Sequence, residues 1–493
     1  TASYNVAVGS QAGRNVTTGV NNTLIGGLAG DALTTAGNNV AIGYQAHSTD
    51  DLGSRNVSVG TEALSDMNFA TATDSYNVAV GDQAGKRVTT GQNNTLIGGL
   101  AGDALTAVND NVVVGTGALT SDTLGSGTVA IGRQVLQSQN FTTATTTYNT
   151  AVGFQAGAAV TTGQYNTIIG GLSGDAITDA DFNVSMGYAA LSTNTVGSSS
   201  VAIGSFALNA QNPATAASML NVAVGQSAGA AVTTGVQNTF IGGIAGDALT
   251  TGSENTALGY DSLGGATDGG RNVAIGSQTL RLSDTSGNNY NVAVGALAGT
   301  SVTTGTQNTF VGGLAGDTLV NGIENVCVGY NADVSGGSNS REIVIGQGQG
   351  AGSNSVRFVT SGGSLSAAID GSTSTWTAAS DGRLKKDVAD STVGLSFINA
   401  LRPVTFKWNA KNAIADSLPQ YDADSSDPVY GVGKAHHGFI AQEIKAVIDA
   451  RSDIADGHNI WVEDPNGTQE VGPAALIPML VKAIQELSAE IET

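Results

Sequence analysis

Few residues in this chain are of a type and spacing that could do chemistry, and most of those stand after residue 379. Ser380 and Lys385 lie five positions apart. A hydroxyl becomes a useful nucleophile when a neighbouring base takes its proton, and a desolvated lysine can be that base. Taken alone, however, Ser380-Asp381 reads as an N-cap with Lys385 in solvent. His436 and His437 are adjacent, and adjacent side chains on a strand point to opposite faces, so they read as structural. Cys327 is the single cysteine, which excludes an intrachain disulfide and fits simple packing. Asp31, Asp103, Asp175, Asp247 and Asp317 each follow a Gly-rich turn. A calcium site needs about six to eight oxygen ligands, so these lone carboxylates read as turn formers, and neither a metal nor a cofactor is expected.

The elements that must carry these residues are set by a repeat. Asn5-Val6-Ala7-Val8-Gly9 returns at Asn22, Asn39 and Asn56, and after a 21-residue step the series restarts at Asn77. Further blocks begin at Asn149, Asn221 and Asn291, giving twenty rungs of 17-residue spacing in five blocks of four. The fifth position is Gly in all twenty, from Gly9 to Gly346, which predicts a positive φ or a place too crowded for a side chain. The first position is Asn except at Thr128, Ser200 and Glu342. Asn tolerates left-handed backbone and forms ladders between stacked copies.

Val, Ile, Leu and Thr at the second and fourth positions predict that these two point into one core. The third position is small in most rungs but becomes Leu24, Leu96, Ile168, Phe240 and Phe310 in the second rung of each block. With both strand faces apolar, the second is expected to be buried against sister chains, hence a homotrimer. Segments 67–75, 139–148 and 211–220 carry the extra residues of the 21-residue steps and are expected to form small outward loops. The predicted fold is mainly β: a trimeric parallel β-solenoid or β-roll shaft over 1–346, about 95 Å long at ~4.8 Å per rung. A linker or tapering end covers 347–379, and a small α+β domain covers 380–493. Thr1 stands one strand before the first motif, and an attachment region ahead of it is expected.

Composition narrows the partners. A formal charge of −21 argues against nucleic acid or an anionic membrane surface, both of which call for clustered Lys and Arg. No apolar run approaches the roughly 20 residues of a membrane helix. The shaft holds one lysine, Lys86, whereas Lys385, Lys386, Lys407, Lys411, Lys434, Lys445 and Lys482 all follow residue 379. Helical periodicity appears over 438–450 and 474–491. Ile477, Leu480, Ile484, Leu487 and Ile491 fall at alternating spacings of three and four, the pattern of a coiled-coil seam.

The stretch Ser380-Asp381-Gly382-Arg383-Leu384-Lys385-Lys386-Asp387-Val388 resembles the opening of the intramolecular chaperone autoprocessing domain of phage tailspikes, including endosialidases. Leu401-Arg402-Pro403-Val404-Thr405-Phe406-Lys407-Trp408, His437-Gly438-Phe439-Ile440-Ala441-Gln442-Glu443-Ile444 and Ala475-Leu476-Ile477-Pro478-Met479-Leu480 fit the same family in order. The shaft resembles, in style, the head repeats of trimeric adhesins.

The resemblance implies a single autoproteolytic cleavage of the Ala379–Ser380 bond, with Ser380 as nucleophile and Lys385 as general base. It further implies the distal part of a virion tail fibre or tailspike, assembled in a host cytoplasm and exposed outside. The expected partners are two sister chains and a host surface receptor, a glycan or an outer-membrane component. A bacterial trimeric adhesin and a capsule-depolymerising tailspike are the alternatives. The first calls for a C-terminal membrane barrel, which is not visible, and the second for paired carboxylates in an aromatic-lined cleft.

Overall fold

The computed structural model describes residues 3–361, 363–369, 377–378, 382–431, 433–454, 460–464 and 467–492. The chain divides into two compact units, Thr1–Ala379 and Ser380–Thr493.

The first unit is a parallel β-solenoid whose main ladder has one short strand per turn, with two-residue strand pairs such as Gly53–Ser54 with Thr73–Asp74 beside the longer steps. Val6–Val8 pairs in register with Thr23–Ile25, which pairs with Val40–Ile42, and the same parallel register continues to Glu342–Gly346. Two devices hold successive turns at one spacing. The Asn at the first position is buried; in one cycle, Asn39 Oδ1 accepts the Asn56 backbone N–H at 2.9 Å and the Asn39 amide donates to Gly53 O at 3.0 Å. Such a column satisfies buried polar groups in pairs and has no reason to slip, because each amide already uses its neighbour. The Gly at the fifth position has φ near +135°, for example +134° at Gly329, where a Cβ would lie 2.7 Å from Gly346 O. Both reasons for an invariant glycine therefore hold at once.

The expected orientation of the strands is reversed. The third position, not the second and fourth, fills the interior: Leu24, Ala41, Ala79, Leu96, Phe240 and Phe310 are buried, while Ile25, Ile97, Ile241 and Val311 at the fourth position are exposed. Alternation shows that a strand has two faces without saying which closes on itself. The interior of one turn is narrow, so half of the rungs carry Ala there and the larger Val and Ile lie mostly outside.

The four-rung block is a packing period. In the second rung a large third-position side chain occupies space left by glycine at the ninth position of the first and second rungs. A Cβ on Gly13 would lie 2.6 Å from Leu24 Cδ1, and one on Gly229 would lie 2.8 Å from Phe240 Cδ2. In most third and fourth rungs the third position is small and the ninth becomes Leu64, Leu119, Leu136, Leu191, Leu208, Leu263 or Leu280, all buried at positive φ, while His47, Asp333 and Gly350 hold the ninth position in the other three. Volume removed from one position is returned by another, as dense packing demands.

The insertions are only partly the outward loops expected. Met67, Phe69, Gln139, Phe141, Gln211 and Met219 are buried, while the tips around 70–72, 142–144 and 214–216 and the residues that alternate with the buried ones, such as Asn68, Asn140 and Asn212, face solvent. Asp122, at the twelfth position of the preceding rung, accepts the Gly125 N–H at 3.1 Å and the Phe141 N–H at 3.3 Å, which pins the second insertion. Asp50 does the same for Phe69 at 3.1 Å.

Nor do the rungs stop at Gly346. Ser355–Thr360 stacks parallel on Glu342–Gly346 as a twenty-first strand, and Gly363–Ala368 turns back antiparallel against it. The turn-back changes the ladder from parallel to antiparallel. Ser355–Thr360 lacks both the leading Asn and the closing Gly, so its sequence does not announce it.

In the second unit, helices α1 (Leu395–Ile398), α2 (Ala441–Asp449) and α3 (Ile477–Ile491) pack with two antiparallel strand pairs, Val404–Phe406 with His436–Gly438 and Trp461–Glu463 with Gln469–Val471. Phe397, Ile444, Ile448, Ile460 and Leu476 form its core. Pro478 sits in the first turn of α3, where a missing N–H costs nothing. Glu486 on α3 accepts the Leu395 N–H at 2.7 Å and so ties α1 to α3.

Candidate functional site

The segment named by the sequence begins in a short turn. Gly382–Leu384 form one turn of 3₁₀ helix, and Lys385 N–H donates to Gly382 O at 3.2 Å. This turn fixes the backbone of Lys385 directly after the Ser380 segment and leaves its side chain exposed. Ala379, Ser380 and Asp381 lie outside the described residues, so the expected cleavage bond and the Ser380–Lys385 separation have no geometry to report.

His436 and His437 occupy one strand and do point apart. His436 is half-buried with its ring 5.7 Å from that of Phe406, while His437 is exposed with Nδ1 3.3 Å from Thr405 Oγ1. Among the described residues no three His, Cys, Asp or Glu side chains gather as metal ligands would. Cys327 is buried at the third position of its rung, and burial pushes its thiol pKa up to about 12, so it is packing and not a nucleophile.

Phe406, Trp408, Tyr430 and Phe439 line an open groove beside that strand, bounded on the other side by Gln469, Glu470 and Val471. Trp408 meets Phe406 and Tyr430 edge to face, at 5.2 and 4.8 Å between centroids. The same interlocking gives the strand pair a fixed shape without any deep core of its own.

The seam read from the sequence lies on the outer side of α3. Ile477, Leu480, Ile484, Leu487 and Ile491 are all exposed, and Ile484 retains 65% of its accessible surface. The opposite side of the helix packs Met479 and Ala483 inward. Five large aliphatic side chains thus lie exposed in one stripe among the described residues.

On the shaft, the position just before each leading residue, the seventeenth of a 17-residue rung, carries a column that the sequence reading did not single out, although its signal is the same spacing. Tyr148, Tyr165 and Phe182 stack in consecutive rungs, with centroids 5.6 and 4.9 Å apart. Elsewhere the column holds Asn21 donating to Asn38 at 3.2 Å and the ion pair of Arg271 with Glu254 at 3.0 Å.

No curated protein and no solved structure matches the chain. Residues 380–451 match the family described as chaperone of endosialidase, which places an intramolecular-chaperone domain after a β-solenoid of 17-residue turns.

Proposed function

We propose that this chain is the distal part of a trimeric phage tail fibre or tailspike for host attachment, whose second unit brings three chains together, guides shaft folding and is then released by cleavage before Ser380. The observation that carries this reading is the exposed seam of α3 in the unit that matches a chaperone family. A parallel ladder of near-identical rungs has a register problem: each three-residue strand can pair with many others, and nonlocal β pairing is slow. A helix that aligns three chains before the rungs zip removes the ambiguity. The outward Val, Ile and Thr of the second and fourth positions then face the sister chains.

In this reading Ser380 attacks the Ala379 carbonyl carbon, its proton passes to Lys385, and the peptide bond to the Ser380 nitrogen breaks as that nitrogen takes the proton. An ester between the Ala379 carbonyl and the Ser380 hydroxyl remains, and water hydrolyses it to a free carboxylate. A lysine acts as a base when desolvated, and Lys385 is exposed in the single chain. Cleavage is therefore tied to assembly, which would bury this lysine against a sister chain. Intact mass of the purified wild type beside Ser380→Ala tests the proposal: a split after Ala379 in the wild type alone supports it. If both stay whole in the folded assembly, the second unit is a permanent trimeriser and the catalytic roles are wrong.

A further inference from the structure

We infer that the end of the aromatic stack at Tyr148 is a stacking site for a neutral saccharide on the shaft, an inference that rests on the attachment reading above. The seventeenth position is left-handed in every rung of this region, with φ of +50° at Tyr148, +59° at Tyr165 and +59° at Phe182. Its side chains project beside the strand and stack directly on those of the next rung. The middle ring, Tyr165, is 45% exposed, whereas the end rings Tyr148 and Phe182 are 61% and 58% exposed. The difference is that of a stack whose two outer faces are uncovered.

One of those faces opens onto a vacancy. The next position of the column is Gly127, with φ +68°, and the position beyond it is Asp110. A Cβ on Gly127 would meet within 4 Å only the Thr146 methyl, at 3.3 Å. Two rung steps, about 9.6 Å, therefore separate Tyr148 from Asp110, with no side chain of the column between them. That is room for one more ring on the stack. Its floor is glycine backbone, its wall a methyl, its roof an aromatic face and its far end a carboxylate, whose Oδ1 is held by the Asn93 amide at 3.2 Å.

The chemistry of the slot selects the ligand. An aromatic face carries negative charge density and attracts the C–H bonds of a pyranose, while a carboxylate accepts hydroxyl donors. Anionic sugars are disfavoured, because Asp110 would repel them. A neutral hexose or N-acetylhexosamine, presented by a surface polysaccharide, meets both requirements.

The test is binding of the assembled, purified fibre to a panel of neutral oligosaccharides of glucose, galactose, mannose and N-acetylglucosamine, with sialylated and phosphorylated counterparts beside them. Gly127→Asn fills the slot with a residue that the same column already holds at Asn21, Asn38 and Asn93, all at similar positive φ. Tyr148→Asn removes the stacking face by the same logic. The expectation is that wild type binds a neutral member, that both variants bind it about tenfold more weakly, and that their melting and sedimentation are unchanged. Equal binding by wild type and both variants overturns the site and leaves the attachment reading standing. Binding of acidic sugars only, or of none, overturns the ligand class. A change of oligomeric state in Gly127→Asn means that the slot is a contact between chains instead.

Discussion

His47 Nε2 lies 3.2 Å from Asp50 Oδ2, with both side chains wholly buried inside the shaft. Asp122 stands at the same rung position one block later, where Leu119 replaces the histidine. Burial pushes both carboxyl pKa values up. At Asp50 the hydrogen bond and charge of His47, helped by the Phe69 and Leu52 amides, outweigh burial and hold it below the ordinary range. At Asp122 burial wins over the hydrogen bonds from Gln139, Phe141 and Gly125, and the pKa is raised. The two therefore act on stability with opposite signs. Asp50 contributes stability that is present above the ordinary carboxylate range and lost as pH falls through its lowered folded value. Asp122 contributes stability that is present below that range and lost as pH rises through its raised folded value.

Asp122→Asn should accordingly stabilise the shaft at pH 7 and leave it unchanged near pH 3, because the amide oxygen still accepts from Gly125 and Phe141 without a desolvated charge, and its nitrogen, which can no longer accept from Gln139, can turn to Gly125 O as that of Asn194 does to Gly197 O. Asn194 already fills this position in the third block, accepting the Gly197 N–H at 3.0 Å. Denaturant midpoints of wild type and variant between pH 3 and 8 check this. A variant less stable than wild type at pH 7 would contradict it.

Phe240 and Gly246 test the four-rung packing period. A Cβ on Gly246, at φ +58°, would lie 2.5 Å from Phe240 Cε1. Phe240→Ala should cost about 3–5 kcal/mol through the cavity it leaves. Gly246→Leu alone should be strongly destabilising. Together they reproduce the small third position and leucine at the ninth seen at Ala257 and Leu263, the latter buried at φ +52°. The double variant should therefore recover part of the loss, giving a favourable coupling in a double-mutant cycle. Additive losses would mean that the period is not a volume exchange.

The repeat, its glycine column, its asparagine ladder and the mainly β class were legible because each rests on a local rule repeated many times. Which face closes was not. Val40 and Ile42 outrank Ala41 in hydrophobicity, and only the closed turn shows that Ala is what fits inside. Ser355–Thr360 was missed because its pairing is imposed by the strand before it, without the Asn and Gly that mark the others. In the second unit, the pattern at Ile477 to Ile491 could be read from spacing, whereas the helical periodicity read from residue 438 overran the strand His436–Gly438 that precedes the helix at Ala441. Ser380 and Lys385 drew their roles from a resemblance, and no spacing rule supplies them.

Ile484→Asp probes what the α3 seam is for. Its side chain is mostly exposed in the single chain, so the second unit should fold unchanged, with its helical signal retained. In an assembly a buried, unpaired carboxylate in the seam costs several kcal/mol per copy. The expected outcome is loss of trimer in sedimentation together with aggregated or unfolded shaft, since register is no longer set. A variant that remains trimeric with a folded shaft would remove α3 from the assembly mechanism.

Lys385→Arg separates a base from a charge. Arginine keeps the cation that a merely structural role needs but stays protonated at any accessible pH, so it cannot take the Ser380 proton. Under the proposed mechanism Lys385→Arg should assemble as wild type does and remain uncleaved, with an intact mass equal to that of the whole chain. Cleavage of Lys385→Arg at the wild-type rate would exclude Lys385 as the base, whatever happens at Ser380, and would require the proton to leave by another group.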